Sequence, residues 1–167
     1  EVYAEASYPS YDANHYQVTA NSDPSAFNDT VINDAYEPGS VMKMFTATAV
    51  FSKGVVTEKT PFFDSGKLSL DHGITRVADA GHPKPATLTF QDGIAFSRNV
   101  IASQAVMKLG STTAAASRSL YATWRQLGIG TKTGIDLAGE VGGTAYDPAS
   151  RTWRQIDLAN GSFGQGV

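Results

Sequence analysis

The pattern of hydrophobic and polar positions changes rhythm several times along the chain. Residues 1–7 (EVYAEAS) alternate, with Val2, Ala4 and Ala6 on one side, which is the period of a half-buried strand. Pro9, Asp12 and Asn14 break that pattern, and residues 8–36, rich in Asn, Asp and Ser, read as a long ordered loop before the Pro38-Gly39 turn signal. From Ser40 to Lys53 (SVMKMFTATAVFSK) Val41, Phe45, Thr48 and Ala49 recur at helical spacing. This predicts a helix packed on more than one side, with Gly54 placed to close it. Residues 55–85, with several Gly and Pro, predict short strands and turns. Thr87 to Gly110 predicts a second helical region with Phe96-Ser97-Arg98-Asn99 in its middle, and residues 112–127 a third helix ending before Gly128. Residues 128–150 hold six glycines and read as loop, followed by a short helix near 150–159 that carries Trp153, Ile156 and Leu158. No internal repeat or low-complexity tract is present.

Composition narrows the function classes. A chain of 167 residues, 41% hydrophobic and 17% charged, fits one domain with a sizeable core and not a disordered tail. Thirteen basic residues face 16 acidic ones, the net charge is -3, and no Lys/Arg cluster stands out, so no nucleic-acid partner is expected. The lack of cysteine removes disulfides, Cys-zinc sites and thiol nucleophiles together. No apolar run approaches the roughly 18 residues of a membrane span, and no signal peptide is visible. The chain opens on Glu1 in mid-pattern and stops at Gly164-Gln165-Gly166-Val167, so both ends read as cuts. The missing anchor therefore says little about a parent protein.

Candidate chemistry begins at Ser40. Ser-x-x-Lys at a helix start puts Ser40 and Lys43 on one face, where an amine can reach a hydroxyl. Only a neutral amine can take the hydroxyl proton, and burial together with the positive end of the helix dipole disfavours the ammonium form. The Ser40 N–H lies in the first turn, where helices leave N–H groups without an intrahelical partner, so it suits half of an oxyanion hole. A Ser at a helix start followed by a solvated Lys is common. Here Lys43 sits between two methionines in an apolar helix with no other charge before Lys53, and no other serine has Lys three residues on. The second constellation is Ser97-Arg98-Asn99. Ser-x-Asn sets a hydroxyl and a carboxamide on one side of a short turn, the first able to relay a proton, the second able to hold Lys43 and a substrate carbonyl. Alone this triplet reads equally as a polar kink between helices, but it is the only Ser-x-Asn in the chain.

These segments resemble a known family. YEPGSVMKMFTATAV is similar to the first active-site segment of penicillin-binding protein transpeptidases, and FSRNVIASQAVMKLG to their second, where Ser-Ser-Asn-Val is usual. ASYPSYDAN, LGIGTKTGIDLAGE and SFGQGV look like further stretches of the class B group, in the same order, so the resemblance covers essentially the whole chain. It implies an α+β fold, an antiparallel sheet flanked by helices, of which residues 1–167 would be a partial transpeptidase domain lacking the C-terminal strands. It implies a peptidoglycan D,D-transpeptidase in which Ser40 is acylated, Lys43 is its base, and Ser97 and Asn99 are the second-motif pair. Arg98 departs from the common Ser and is expected to point away from the site. No cofactor or metal is implied. The implied partners are peptidoglycan stem peptides and β-lactams, which imitate the D-Ala-D-Ala end. The parent protein would be membrane-anchored on the extracytoplasmic side with cell-wall synthesis partners.

Several rival motifs are weaker. Lys132-Thr133-Gly134 spells the family's third motif, yet it lies in a stretch that is a structural loop in the family. The catalytic copy would follow Val167, so this chain alone is expected to acylate slowly and to expose an edge that pairs with a second copy. Gly128-Ile129-Gly130 with Gly134 misses a dinucleotide fingerprint and has no preceding strand. His15, His72 and His82 are scattered, and no Gly-x-Ser-x-Gly occurs, which leaves a Ser-His-Asp site unsupported. Two alternatives share the serine–lysine apparatus: a serine β-lactamase, for which Glu140 is the only acid in the glycine-rich loop, and a β-lactam sensor. Deacylation rate separates them from a transpeptidase.

Overall fold

The segment after Pro38 folds much as its spacing predicts. A computed structural model describes residues 2–81 and 83–167; Glu1 and His82 lie outside the described residues. Gly39–Val41 form a single 3-10 turn that leads into helix α3, Met42–Ser52, and Gly54 closes it at φ +65°. Before it lie two short helices, α1 (Tyr16–Ser22) and α2 (Thr30–Asn33).

The expected loop over 8–36 is corrected here, because it contains α1, α2 and two 3-10 turns. Three of its Asp residues act as N-caps, two of 3-10 turns and one of α2. Asp12 accepts from Asn14 N at 2.9 Å, Asp23 from Ser25 N at 3.2 Å, and Asp29 from Val31 N at 3.1 Å. The side chains that favour turns also favour helix starts, so composition alone cannot separate the two. The expected strand over 1–7 is also corrected. Residues 2–7 belong to neither ladder among the described residues, and a two-residue alternation makes a strand only where a partner supplies the ladder.

Four strands follow: β1 (Pro61–Asp64), β2 (Lys67–Leu70), β3 (Thr75–Ala78) and β4 (Ala86–Thr89). β1 pairs antiparallel with β4, Phe62 opposite Leu88, and β2 with β3, Leu68 opposite Val77. The second helical region therefore begins three residues later than expected. Thr87, Leu88 and Thr89, which suit a strand, complete β4. Thr89 then caps helix α4, Phe90–Ala95, accepting from Asp92 N at 3.1 Å. The chain breaks at 96–98 and resumes as α5, Asn99–Met107. Thr112 caps α6, Thr113–Gln126, as the third helix requires. Residues 128–150 are loop. The last helix, α7, runs over Gln155–Ser162, a few residues beyond its expected place, because the Asp157 side chain reaches back to Arg154 N at 2.9 Å and fixes the start there.

The α+β class is thus observed, with antiparallel pairing confined among the described residues to two small ladders. α5 is the centre: Val100, Ile101, Ala102, Ala105 and Val106 are fully buried. It packs against α3, α4, α6, α7, β1 and β3. Around it Met42, Val50, Phe62, Phe90, Leu120, Trp124 and Leu158 form one core. Among the described residues no helix is long and apolar enough to cross a membrane.

Candidate active site

Three elements of this core carry the polar site. Ser40 stands on the 3-10 turn, exposed, and Lys43 in the first turn of α3 lies beneath it, only 2% exposed. Ser97 occupies the break between α4 and α5, and Asn99 opens α5. The structure brings all four predicted residues together.

Lys43 Nζ is the hub. It lies 3.2 Å from Ser40 Oγ, 2.9 Å from Ser97 Oγ, 2.6 Å from Ser97 O and 2.8 Å from Asn99 Oδ1. The two hydroxyls are 2.9 Å apart, closing a triangle with the amine. Two of these four partners, the Ser97 carbonyl and the Asn99 amide oxygen, can only accept. A neutral amine has two N–H bonds for them and one lone pair to take a hydroxyl hydrogen. Burial pushes Lys43 from the usual 10.5 down to about 8, and the charge of Asp79 opposes part of that fall.

The backbone is shaped to hold this arrangement. Ser97 has φ +56°, a left-handed conformation rare outside glycine, and it turns both its carbonyl and its hydroxyl toward Lys43. Asn99 is fixed from the far side, its Nδ2 donating to Ala78 O at 3.1 Å at the end of β3. The turn before Ser40 is pinned to the far end of the chain. Gly39 N donates to Gly164 O at 3.0 Å, and Gly166 N to Glu37 Oε1 at 2.7 Å. Gly164 has φ +80°, and a Cβ there would stand 2.2 Å from Gly39 O. Arg98 turns away from the hydroxyls, pairing with Asp64 at 3.5 Å.

A model of the penicillin-binding protein transpeptidase domain matches residues 1–167. The chain belongs to that family. Among relatives of this transpeptidase family, the peptidoglycan D,D-transpeptidase FtsI of Escherichia coli strain K12 is 30% identical over 167 residues, 100% of this chain. Stage V sporulation protein D of Bacillus subtilis is 31% identical over 170 residues. The chain spans 26% of the first of these relatives and 24% of the second, about a quarter of each. Pseudomonas aeruginosa PBP2 superposes with a TM-score of 0.81 at 24% identity, over 96% of this chain and 39% of that one. The transpeptidase domain of Burkholderia pseudomallei penicillin-binding protein 3 superposes with a TM-score of 0.72 at 26% identity, over 83% of this chain and 39% of that one.

Within this transpeptidase fold the weaker motifs sit elsewhere. Lys132, Thr133 and Gly134 are exposed on the loop after α6, where Glu140 accepts from Thr133 N at 2.5 Å, Thr133 Oγ1 at 2.6 Å and Gly134 N at 3.1 Å. The Thr133 hydroxyl, the two N–H groups and nearby Lys132 hold the Glu140 carboxyl below its ordinary range, which makes it a poor proton acceptor. His15 pairs with Asp12 on the surface, and His72 sits in a left-handed turn. Sequence reasoning missed Asp64 and Asp79. Both lie in a turn-rich stretch that carries no motif, and only the packing of β1 and β3 on α5 reveals that they are buried.

Proposed function

We propose that this chain carries the acyl-transfer machinery of a peptidoglycan D,D-transpeptidase, with Ser40 as nucleophile, Lys43 as its base and Ser97 and Asn99 as the second-motif pair. The observation that supports it most directly is Lys43 Nζ, 3.2 Å from Ser40 Oγ and anchored by two carbonyl oxygens. Those acceptors occupy the amine's N–H bonds and aim its lone pair at the hydroxyl. Ser40 Oγ would attack the carbonyl carbon of the D-Ala-D-Ala bond while Lys43 takes the hydroxyl proton. The Ser40 backbone N–H, at a helix start, faces the oxyanion that develops. Collapse of the tetrahedral adduct breaks the C–N bond, and the departing D-Ala amine receives a proton, passed from Lys43 through Ser97 Oγ. An amine of a second stem peptide then attacks the acyl-serine, the proton path runs in reverse, and the cross-link leaves with Ser40 restored. A β-lactam would acylate the same oxygen and keep its ring-opened amine tethered. The name of the FtsI relative, a peptidoglycan D,D-transpeptidase, supports the same chemistry, and a peptidoglycan substrate would place this chain on the outer side of the cytoplasmic membrane.

The experiment is mass spectrometry of the full-length protein after benzylpenicillin. One adduct on the peptide holding Ser40, absent in Ser40→Ala, is expected. An adduct on another residue, or labelling of Ser40→Ala, overturns the assignment. The adduct should persist for many turnover times of a β-lactamase, and rapid loss of it would favour the hydrolytic reading instead.

A further inference from the structure

Behind the site lie two buried carboxyls. Asp64, the last residue of β1, is 1% exposed, and Asp79, directly after β3, is 4% exposed. Burying two acids side by side is unfavourable unless each has partners. Asp64 has them: Oδ1 accepts from Gly66 N at 2.7 Å, and Oδ2 pairs with Arg98 at 3.5 Å. Asp79 Oδ1 accepts from Val100 N at 3.1 Å in the first turn of α5, while its Oδ2 takes no donor among the described residues and faces the Asp64 carboxyl. Its backbone N–H is tied to Gly66 O at 3.1 Å. Asp79 is therefore fixed at both ends, and its carboxylate sits at the positive end of the helix that begins with Asn99.

We propose that Asp79 is a positioning residue for the acylation of Ser40: its carboxylate holds the first turn of α5, and with it Asn99, against Lys43, and its charge supports the ammonium that Lys43 becomes on taking the Ser40 proton. The inference rests on the acyl-transfer reading above. Asp64 faces Asp79, the Asp79 charge acts on Lys43, and Arg98 pairs with Asp64. Arg98 answers Asp64, which leaves Asp79 as the counter-charge for Lys43. The role resembles that of any buried acid behind a base, which orients it and makes it a better proton acceptor. Burial raises the Asp79 carboxyl above its ordinary range, with the neighbouring Asp64 adding to the rise and the Val100 N–H opposing it; in return Asp79 raises Lys43. A residue that merely capped α5 would not influence the proton affinity of Lys43.

Asp79→Asn separates the two roles. The amide oxygen can still accept from Val100 N, and its NH2 can donate to Asp64, so the fold is kept and only the charge is lost. Second-order acylation of the full-length protein by a fluorescent penicillin is followed between about pH 6 and about pH 10. The rising limb of the Asp79→Asn profile is expected about half a unit or more below that of the wild type. Its plateau is expected about threefold to tenfold lower, because a less basic amine takes the proton less well. Asp79→Ala also loses the Val100 acceptor and should fall by about a further tenfold, which Asn restores; if the Ala variant does not fold, Asn alone decides. A limb that superimposes on the wild type, or moves to higher pH, overturns the role of Asp79. Wild-type protein that fails to label at Ser40 would instead overturn the acyl-transfer reading itself.

Discussion

Lys43 is where this molecule departs most from ordinary side-chain behaviour. Unfolded, it keeps its proton to about 10.5, and folded only to about 8. Between those values the unfolded chain binds the extra proton, so the contribution of Lys43 to stability rises with pH across that window and is least favourable below it. Acylation should follow the neutral amine, rising through about pH 8. In Lys43→Ala that limb should vanish and the plateau rate should fall by about a hundredfold or more, measured with the same penicillin time course. A rising limb in the Ala variant would point to another base. Ser40, Lys43, Ser97 and Asn99 were legible in the sequence because each pair is a local spacing that a helix start or a tight turn converts into geometry. Asp79 was not, because its burial depends on how β3 meets α5, and no local pattern encodes that meeting.

Among the elements, the helices around the site were legible and the amino-terminal third was not. The helix over 40–53 was legible but its buried face was not: of Val41, Phe45, Thr48 and Ala49 only Ala49 is buried, while Met42, Lys43, Thr46 and Val50 lie inside. The two 3-10 turns and α2 start on the same Asp residues that mark loops, and residues 2–7 belong to neither ladder among the described residues. Short elements depend on what they touch, and their own residues say little about that. The turn before Ser40 is the element most exposed to a single change. Gly164→Ala would place a methyl 2.2 Å from Gly39 O in a left-handed backbone. The two segments must separate, so the variant should lose about 2 kcal/mol or more of stability and acylate at least about tenfold more slowly. Thermal melting and the labelling rate together check this. A Gly164→Ala protein with wild-type values for both would mean that the 39–164 contact does not position Ser40.

For the molecule as a whole, two buried clusters support the site, the larger beneath α3 and α5 and a smaller one of Leu70, Val77, Ala159 and Phe163 beneath β3. Trp124 of α6 is fully buried, lies tilted against Trp153 at 5.6 Å between ring centroids, and among the described residues has no partner for its Nε1. Its contribution is packing alone. Trp124→Ala should therefore cost about 3–5 kcal/mol, whereas Trp124→Phe, which also removes the unpaired N–H, should cost much less. Urea unfolding with an unchanged slope would measure both. Equal losses in the two variants would show that the N–H has a partner after all. The ties that seat α3 join positions far apart in the chain: Lys43 to Ser97 over 54 residues, Thr46 to Ser162 over 116, and Glu37 to Gly166 over 129. Bringing such distant segments together has to overcome loop-closure entropy before the contacts repay it, which slows folding. A chain emerging from the ribosome would thus carry Ser40 and Lys43 long before it carried the residues that aim one at the other. Lys43 would gain the acceptors that orient it only when α5 joins α3, and the turn carrying Ser40 would be pinned only once residues 164–166 had followed.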